Sequence, residues 1–461
     1  MAKLPVSGGW NLRVRRPPVP KPMPVTHAWH ALHVLLLLFI VNLTLQPLVE
    51  PDFGWHLRAG LDWLDQGGHL PETDPYSHTI PEWPWVEHAW LTDVVLALLY
   101  KGMGAAGGLG VMVFYAALTT GAFMIASTTV SASWTVRLMA MAGALWVGLP
   151  FLGARTQMVT LLGLALLLRC WQACVQGQRQ MLWVIPGLFL VWANLHGGFV
   201  GGLVLLSLFG LGSLLMRVLV DWKPQWEKCL DEPVLEWRAL IQVWAVLLVS
   251  CLVTLLNPYG FRLHAEIFSS LGDRLMIETL TEWLPVSWHS PAGATYLIYL
   301  AVLGVGLLAF MRRVEPVRWL VLLVFLMFSL RHWRNALVFL LLSAPLAAEI
   351  WAGLRDTIWQ AIPARFQVAK AWSLGATVGV AILLVVLGAD HLRSVVWCGV
   401  DPKRYFTTTE YPIEAVDWIQ AHRSRLGSRM YNDYGFGGFL LWWNPADKIF
   451  IDGRMPAWRV G

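Results

Sequence analysis

Residues 51–60 read PDFGWHLRAG, one residue (Glu50) past the apolar run Ala28 to Val49. That run would span roughly 33 Å as a helix at about 1.5 Å per residue, enough to cross a bilayer. It is too long for the core of a signal peptide, and no small-residue cleavage site follows it, so it reads as an uncleaved first span. Asp52, His56 and Arg58 therefore stand where a membrane helix ends, among Phe53 and Trp55. With Pro51 at the turn, Phe53 to Asp65 is predicted to form a short amphipathic helix on the membrane surface, with Asp52 near its N-cap and His56 one turn on.

Composition places the rest of the chain in the same setting. It is 57% hydrophobic and 14% charged, against roughly 25% charged in an ordinary soluble domain. This is the composition of a polytopic membrane protein. The net charge of +5 is small for 461 residues, and no basic helix is interleaved with aromatics, which excludes nucleic acid as a partner. Tryptophan is abundant, 28 copies against 19 phenylalanines, and many of these lie at the ends of apolar runs, where an indole keeps its ring in the headgroup layer.

Residues 1–27 carry Lys3, Arg13, Arg15, Arg16 and Lys21 around the proline-rich stretch Pro17 to Pro24 and read as a disordered cytoplasmic tail. Beyond the first span, apolar runs lie near 109–130, 134–152, 157–176, 181–195, 199–220, 238–256, 293–311, 319–331, 335–352 and 372–390, which makes eleven. The segment Glu87 to Met103 is interrupted by charge. If it dips into or lies along the outer leaflet, the inside connections hold Arg179, Lys223, Lys228, Arg312, Arg313, Arg318, Arg355, Arg365 and Lys370, and the positive-inside rule is obeyed. The expected organisation is a transmembrane domain over 28–390, an outer (periplasmic) loop at 50–108, and a periplasmic tail at 391–461. The N-terminus is then cytoplasmic. In the tail, Tyr411 to Ile419 has a helical period, whereas Arg429–Asn432 and Lys448–Asp452 read as short strands of a small α/β element. Gly435, Gly437 and Gly438 read as a tight turn in preference to a phosphate loop, because neither a Lys-Ser/Thr pair nor a Rossmann context follows. No internal repeat appears, and among the five cysteines only Cys398 faces outward, so no periplasmic disulfide forms within the chain.

Two readings of Asp52 stand side by side. It caps the following helix, or it is also a general base, since a carboxylate partly desolvated among aromatics has its proton affinity raised toward the working pH. His56 would share that proton or hold the acceptor. The same outer loop continues with LPETDPYSHT (70–79), which brings Asp74, and EWPWVEHAWLTD (82–93), which brings Glu87 and His88.

The pattern W-H-L-x-x-G, L-P-x-x-D-P-Y-S and W-V-E-H-x-W-L just past a first span resembles the first periplasmic loop of bacterial GT-C-fold membrane proteins. These are relatives of the polyprenyl-phosphate-sugar-dependent glycosyltransferases, the superfamily of protein mannosyltransferases and lipid A aminoarabinose transferases. W-A-N-L-H-G-G-F (192–199), L-N-P-Y-G (256–260), E-W (282–283), R-H-W-R-N (331–335), and N-D-Y-G-F-G-G-F-L with I-D-G-R in the tail agree with it. The resemblance runs from about Asp52 to Arg454. Similar sequences commonly run on past I-D-G-R, so a fragment of a longer protein is expected.

The resemblance implies an all-α GT-C-like fold in the bacterial inner membrane and transfer of a sugar from a polyprenyl-phosphate donor to a lipid, glycan or protein acceptor. It implies Asp52 as the catalytic acid–base residue, and we group His56 and Asp74 with it. A donor phosphate at headgroup level calls for a guanidinium clamp, for which Arg331 and Arg334 are the first candidates and Arg155 the second; the alternative for each is snorkelling or a structural pair with Glu282. Asn194 and His196 break one apolar run from the next and either line the cavity or cap helix ends. Glu87, His88 and Glu282 are further cavity-lining candidates. Adjacent carboxylates and imidazoles leave Mn²⁺ or Mg²⁺ open as a cofactor, as in some GT-C oligosaccharyltransferases. A transporter or flippase of lipid-linked sugars, or a non-catalytic envelope scaffold, is the rival reading; the former is weakened by the lack of duplicated halves.

Overall fold

The computed structural model describes residues 27–230, 233–310, 315–361, 370–406 and 411–454. The expected disordered tail, apart from residue 27, and the inside arginines 312, 313 and 365 lie outside these. The chain is a helical bundle. In order it forms α1 (His27–Thr44), α2 (Phe53–Asp65), α3 (Trp90–Gly102), α4 (Gly107–Ser127), α5 (Trp134–Val147), α6 (Gln157–Val175), α7 (Ile185–Leu195), α8 (Phe199–Trp222) and α9 (Trp237–Val253). The second half holds α10 (Phe261–Leu271), α11 (Arg274–Thr279), α12 (Pro291–Phe310), α13 (Pro316–Arg331), α14 (Ala336–Ala361), α15 (Lys370–Val400), α16 (Pro402–Phe406), α17 (Ile413–Ala421) and α18 (Gly437–Trp443).

Every one of the eleven apolar runs falls on one of these helices. Among the described residues, six stretches are long and apolar enough to cross a membrane: Gly104–Ser127, Gln157–Val175, Phe199–Trp222, Pro291–Phe310, Trp333–Thr357 and Ile382–Val400. His30–Thr44, Trp134–Val147 and Trp237–Val253 are apolar but shorter. The core runs through the bundle where α4 packs on α6 and α14 on α5, with α1 seated between α5 and α15. Tyr115, Phe123, Phe189, Trp192 and Tyr296 are almost fully buried there. Many leucines and valines stay exposed on outer helix faces, Leu308 at 71% and Ile241 at 67%, which is the surface a lipid solvent tolerates and water does not.

Two short helices set the site apart from the bundle. The α2 helix begins at Phe53 and ends at Asp65, the bounds expected from the sequence, with one face buried through Phe53, His56 and Gly60. The α3 helix has 13 residues; at about 1.5 Å per residue it is roughly 20 Å long, short of a hydrocarbon core of about 30 Å. It packs along α2 because Gly60 leaves room: a methyl there would lie 1.9 Å from the Asp93 carbonyl oxygen.

The tail differs from expectation. The helix predicted over Tyr411 to Ile419 is α17, but the predicted strands do not form, and among the described residues the β pairing is confined to two isolated bridges, Thr73 with Pro84 and Ser77 with Ile449. The reason is the Asn432 side chain. It accepts from Phe450 N and donates to Ile451 O, both at 2.8 Å, and so takes the place of a neighbouring strand. Nor do the glycines make only a turn: Tyr434–Phe436 is one turn of 3₁₀ helix, with Asp433 accepting from Gly435 N at 2.9 Å, and Gly437 and Gly438 open α18. The tail docks onto the start of α2. Phe53 meets Trp442 edge-on at 5.3 Å, and Phe406 sits among Tyr411, Phe439 and Trp442.

Candidate active site

Asp52 occupies the residue before α2, but its side chain makes no capping hydrogen bond. The capping alternative is thereby removed. Its carboxylate instead lies against the tail, where a methyl on Gly453 would fall 1.8 Å from Asp52 Oδ1. Only glycine lets that backbone pass so close. Burial, then the neighbouring Glu50 carboxylate, pushes the Asp52 carboxyl up to about 6.

One turn along α2, His56 Nδ1 bonds Asp93 Oδ1 at 2.7 Å, both groups being buried. The Trp55 ring stacks on the imidazole with centroids 3.5 Å apart. Burial lowers the basicity of His56 and raises the Asp93 carboxyl well above its usual range. Glu87, also buried, is pushed up to about 8 by desolvation and by Asp93. Asp93 Oδ2 is buried with no hydrogen-bond partner among the described residues.

Ligand atoms of His56, Glu87 and Asp93 lie within 4.8 Å of one another. This is a feasible cation site: two carboxylates and one imidazole form a donor set better suited to Mn²⁺ than to Mg²⁺, and the orphaned Asp93 oxygen is a ready ligand. Of the acidic and histidine residues singled out in the 50–108 loop, it uses His56 and Glu87 and leaves out Asp52, Asp74 and His88. Asp93, which the sequence showed only as an interruption of an apolar segment, completes it.

A row of imidazoles continues from His56. Its ring lies 6.0 Å from that of His88, which lies 5.5 Å from that of His196. Burial, then His56 and Arg334, brings His88 down to about 3. His196 Nδ1 accepts from Gly198 N at 3.0 Å and meets Thr160 Oγ1 at 2.7 Å, so the neutral ring carries its proton on Nε2. Asn194 is used as a fastener: its Oδ1 accepts from Trp90 Nε1 at 3.1 Å and its Nδ2 donates to Leu190 O and Leu256 O. That ties α7 to α3.

The cationic side is a chain of alternating charge. Arg155 pairs with Glu50 at 2.5 Å and with Glu282 at 3.1 Å, and Arg334 reaches Glu282 at 3.5 Å while its guanidinium lies 4.4 Å from the Trp283 ring centre. Burial alone would raise Glu282, but Arg334 and Arg155 bring it below its usual value. Arg155 is committed to two carboxylates and Arg334 to one, at longer range, so Arg334 is the freer donor. Arg331 is exposed at the end of α13 and has no ion pair among the described residues.

Asp74 is not brought to Asp52. It is buried and paired with Arg454, accepts from Ser77 Oγ, and accepts from the backbone N–H of Tyr76 at 3.0 Å. Arg454 also holds Asp452 at 2.7 Å. The tail therefore clamps the 50–108 loop through one buried guanidinium between two carboxylates. The quoted I-D-G-R was the sequence signal for this contact, but its partner lies 380 positions away.

The fold of this helical bundle has a solved counterpart. Among solved structures the chain is similar to the apo form of the oligosaccharyltransferase of Archaeoglobus fulgidus, with a TM-score of 0.50 and 11% identity over 93% of this chain. The chain spans 65% of the length of that structure. No protein-family model matches the sequence, and no curated protein matches it.

Proposed function

We propose that this protein is a membrane glycosyltransferase that moves a sugar from a polyprenyl-phosphate-linked donor in the outer leaflet to a lipid, glycan or protein acceptor in the periplasm or envelope. The observation that carries this reading is Asp52, a carboxylate beside the membrane domain with its proton affinity raised to about 6 and with the guanidinium of Arg155 near enough to act on it. The acceptor hydroxyl gives its proton to Asp52, and its oxygen bonds to the anomeric carbon. The bond from that carbon to the phosphate oxygen breaks with its electron pair, and Arg334 stabilises the departing phosphate. His56 and His88 line the approach to Asp52. A cation held by His56, Glu87 and Asp93 would supply extra positive charge beside the developing phosphate.

Labelled polyprenyl-phosphate sugar in single turnover tests this. Asp52→Asn keeps the shape and removes the base, and should lower transfer by about 10²–10⁴-fold with folding retained. Unchanged transfer would remove Asp52 from the chemistry, and binding of the donor lipid with no transfer by the wild type would favour a transporter or scaffold.

The reading requires eleven spans, a cytoplasmic N-terminus, and the 50–108 loop and tail on the outer face. The shortness of α3 supports a segment that does not cross. Alkaline phosphatase fused after Asp390 should be active; an inactive fusion there, with an active one inside 221–237, would put the site on the wrong side of the membrane.

A further inference from the structure

Between α9 and α12 the chain carries α10, a helix of 11 residues. At about 1.5 Å per residue it is roughly 16 Å long, too short to cross a hydrocarbon core of about 30 Å. The turn that feeds it is fixed by an asparagine. Asn257 Nδ2 donates to Thr254 O at 2.8 Å and to Gly260 O at 3.2 Å, and Asn257 Oδ1 accepts from Tyr259 N at 2.8 Å. Gly260, with a φ of +55°, then redirects the backbone into α10.

The helix has three sides. On the first, Leu263 is buried and Ile267 rests at the break between α7 and α8, where a methyl on Gly197 would lie 3.2 Å from Ile267 Cδ1 and 3.4 Å from His88 Cβ. Arg262, Glu266 and Ser269, at i, i+4 and i+7, form a polar side. Phe261, Phe268 and Leu271, at i, i+7 and i+10, form the third, and all are exposed, Phe261 to 74% and Phe268 to 60%. A water-facing surface seldom shows so much contiguous apolar area.

The neighbouring helix says what covers that third side. On α9 the exposed residues Ile241, Leu248, Leu252 and Leu256, at i, i+7, i+11 and i+15, draw one lipid-facing stripe along the helix. The stripe ends at the turn from which α10 starts. A patch that begins where a lipid-facing stripe ends lies at the depth of the bilayer surface, where a soluble partner would meet headgroups first. Arg262 and Arg274 are exposed beside it, placed for lipid phosphates as the basic residues of interfacial helices are, and the Trp288 indole ahead of α12 is 69% exposed, a side chain suited to the headgroup layer.

We infer that α10 is an interfacial helix seated in the bilayer surface on the side of the candidate site, with Phe261, Phe268 and Leu271 in the acyl boundary and Ile267 against His88 and the Gly197 break. The bilayer itself then holds one wall of the site in place. The inference does not rest on the transferase reading, since a chain that transfers nothing would still bury these side chains in lipid. Full-length protein in nanodiscs of phosphatidylcholine and phosphatidylglycerol, free of polyprenyl lipid, tests it. The probe is a phospholipid with a diazirine at the top of one acyl chain, and the carbene adducts are mapped by mass spectrometry after irradiation.

Adducts should fall on Phe261, Phe268 and Leu271, as on Leu252 and Leu256, and be scarce on Arg262, Glu266 and Ser269. The double variant Phe261→Ser, Phe268→Ser changes only exposed positions, so the bundle should fold. It should lower labelling of α10 by at least about tenfold, the partition lost with two lipid-buried rings, while α9 is labelled as before. Labelling of α9 with none on α10, the outcome if a second copy covers this side, would overturn the inference. Equal labelling of all three sides, or a double variant labelled like the wild type, would overturn it as well.

Discussion

Two stretches of the 50–108 loop treat a carboxylate in opposite ways. In the middle of the loop Asp74 is buried but met by a guanidinium, a hydroxyl and backbone N–H groups. At its start Asp52 sits beside Glu50, itself raised by burial and only partly compensated by Arg155, and among the described residues no cation pairs with it directly. Its proton is held correspondingly tightly. Both residues follow a proline or precede one in the same loop, and sequence reasoning grouped them as one catalytic set. Burial with a counter-ion makes Asp74 part of a clamp; burial without one raises the proton affinity of Asp52, as the proposed base requires.

The sharpest way to break this contrast is at the clamp. Arg454→Met leaves Asp74 and Asp452 buried without their cation, and removal of one partner of a buried pair costs about 3–5 kcal/mol. The expected readout is a large drop in thermal stability together with proteolytic sensitivity of residues 411–454. A stability equal to wild type would mean that the tail does not depend on this ion pair.

Gly453→Ala probes the start of the loop with a smaller effect. The added methyl collides with the Asp52 carboxylate, and a displacement of about 1 Å at a reacting group can cost about 10²-fold in rate. Transfer should fall while the tail stays docked, because Arg454 keeps both of its carboxylates. Full activity in Gly453→Ala would show that the tail does not set the position of Asp52.

What the sequence revealed follows from how local each feature is. The α2 bounds, the helicity of the apolar runs and the adjacency of Glu87 and His88 were legible because each rests on a short-range pattern. Asp93 was overlooked since, in a list of charges, it merely interrupts an apolar segment; its pairing with His56 depends on α3 lying across Gly60. The two strands expected in the tail failed because an asparagine side chain supplied the hydrogen bonds that a strand would have made. Arg454 could not be tied to Asp74 without the fold that brings residues 380 positions apart together.

The claim that Asp52 works as a base through burial is met most directly by the pH dependence of single-turnover transfer. A carboxyl raised to about 6 is protonated and idle below that value and deprotonated above it, so the rate should climb with pH through about 6 and level off. A rising limb at the usual carboxylate value near 4, or a rate flat from pH 5 to 7, both about values from unperturbed carboxylate behaviour, would contradict it.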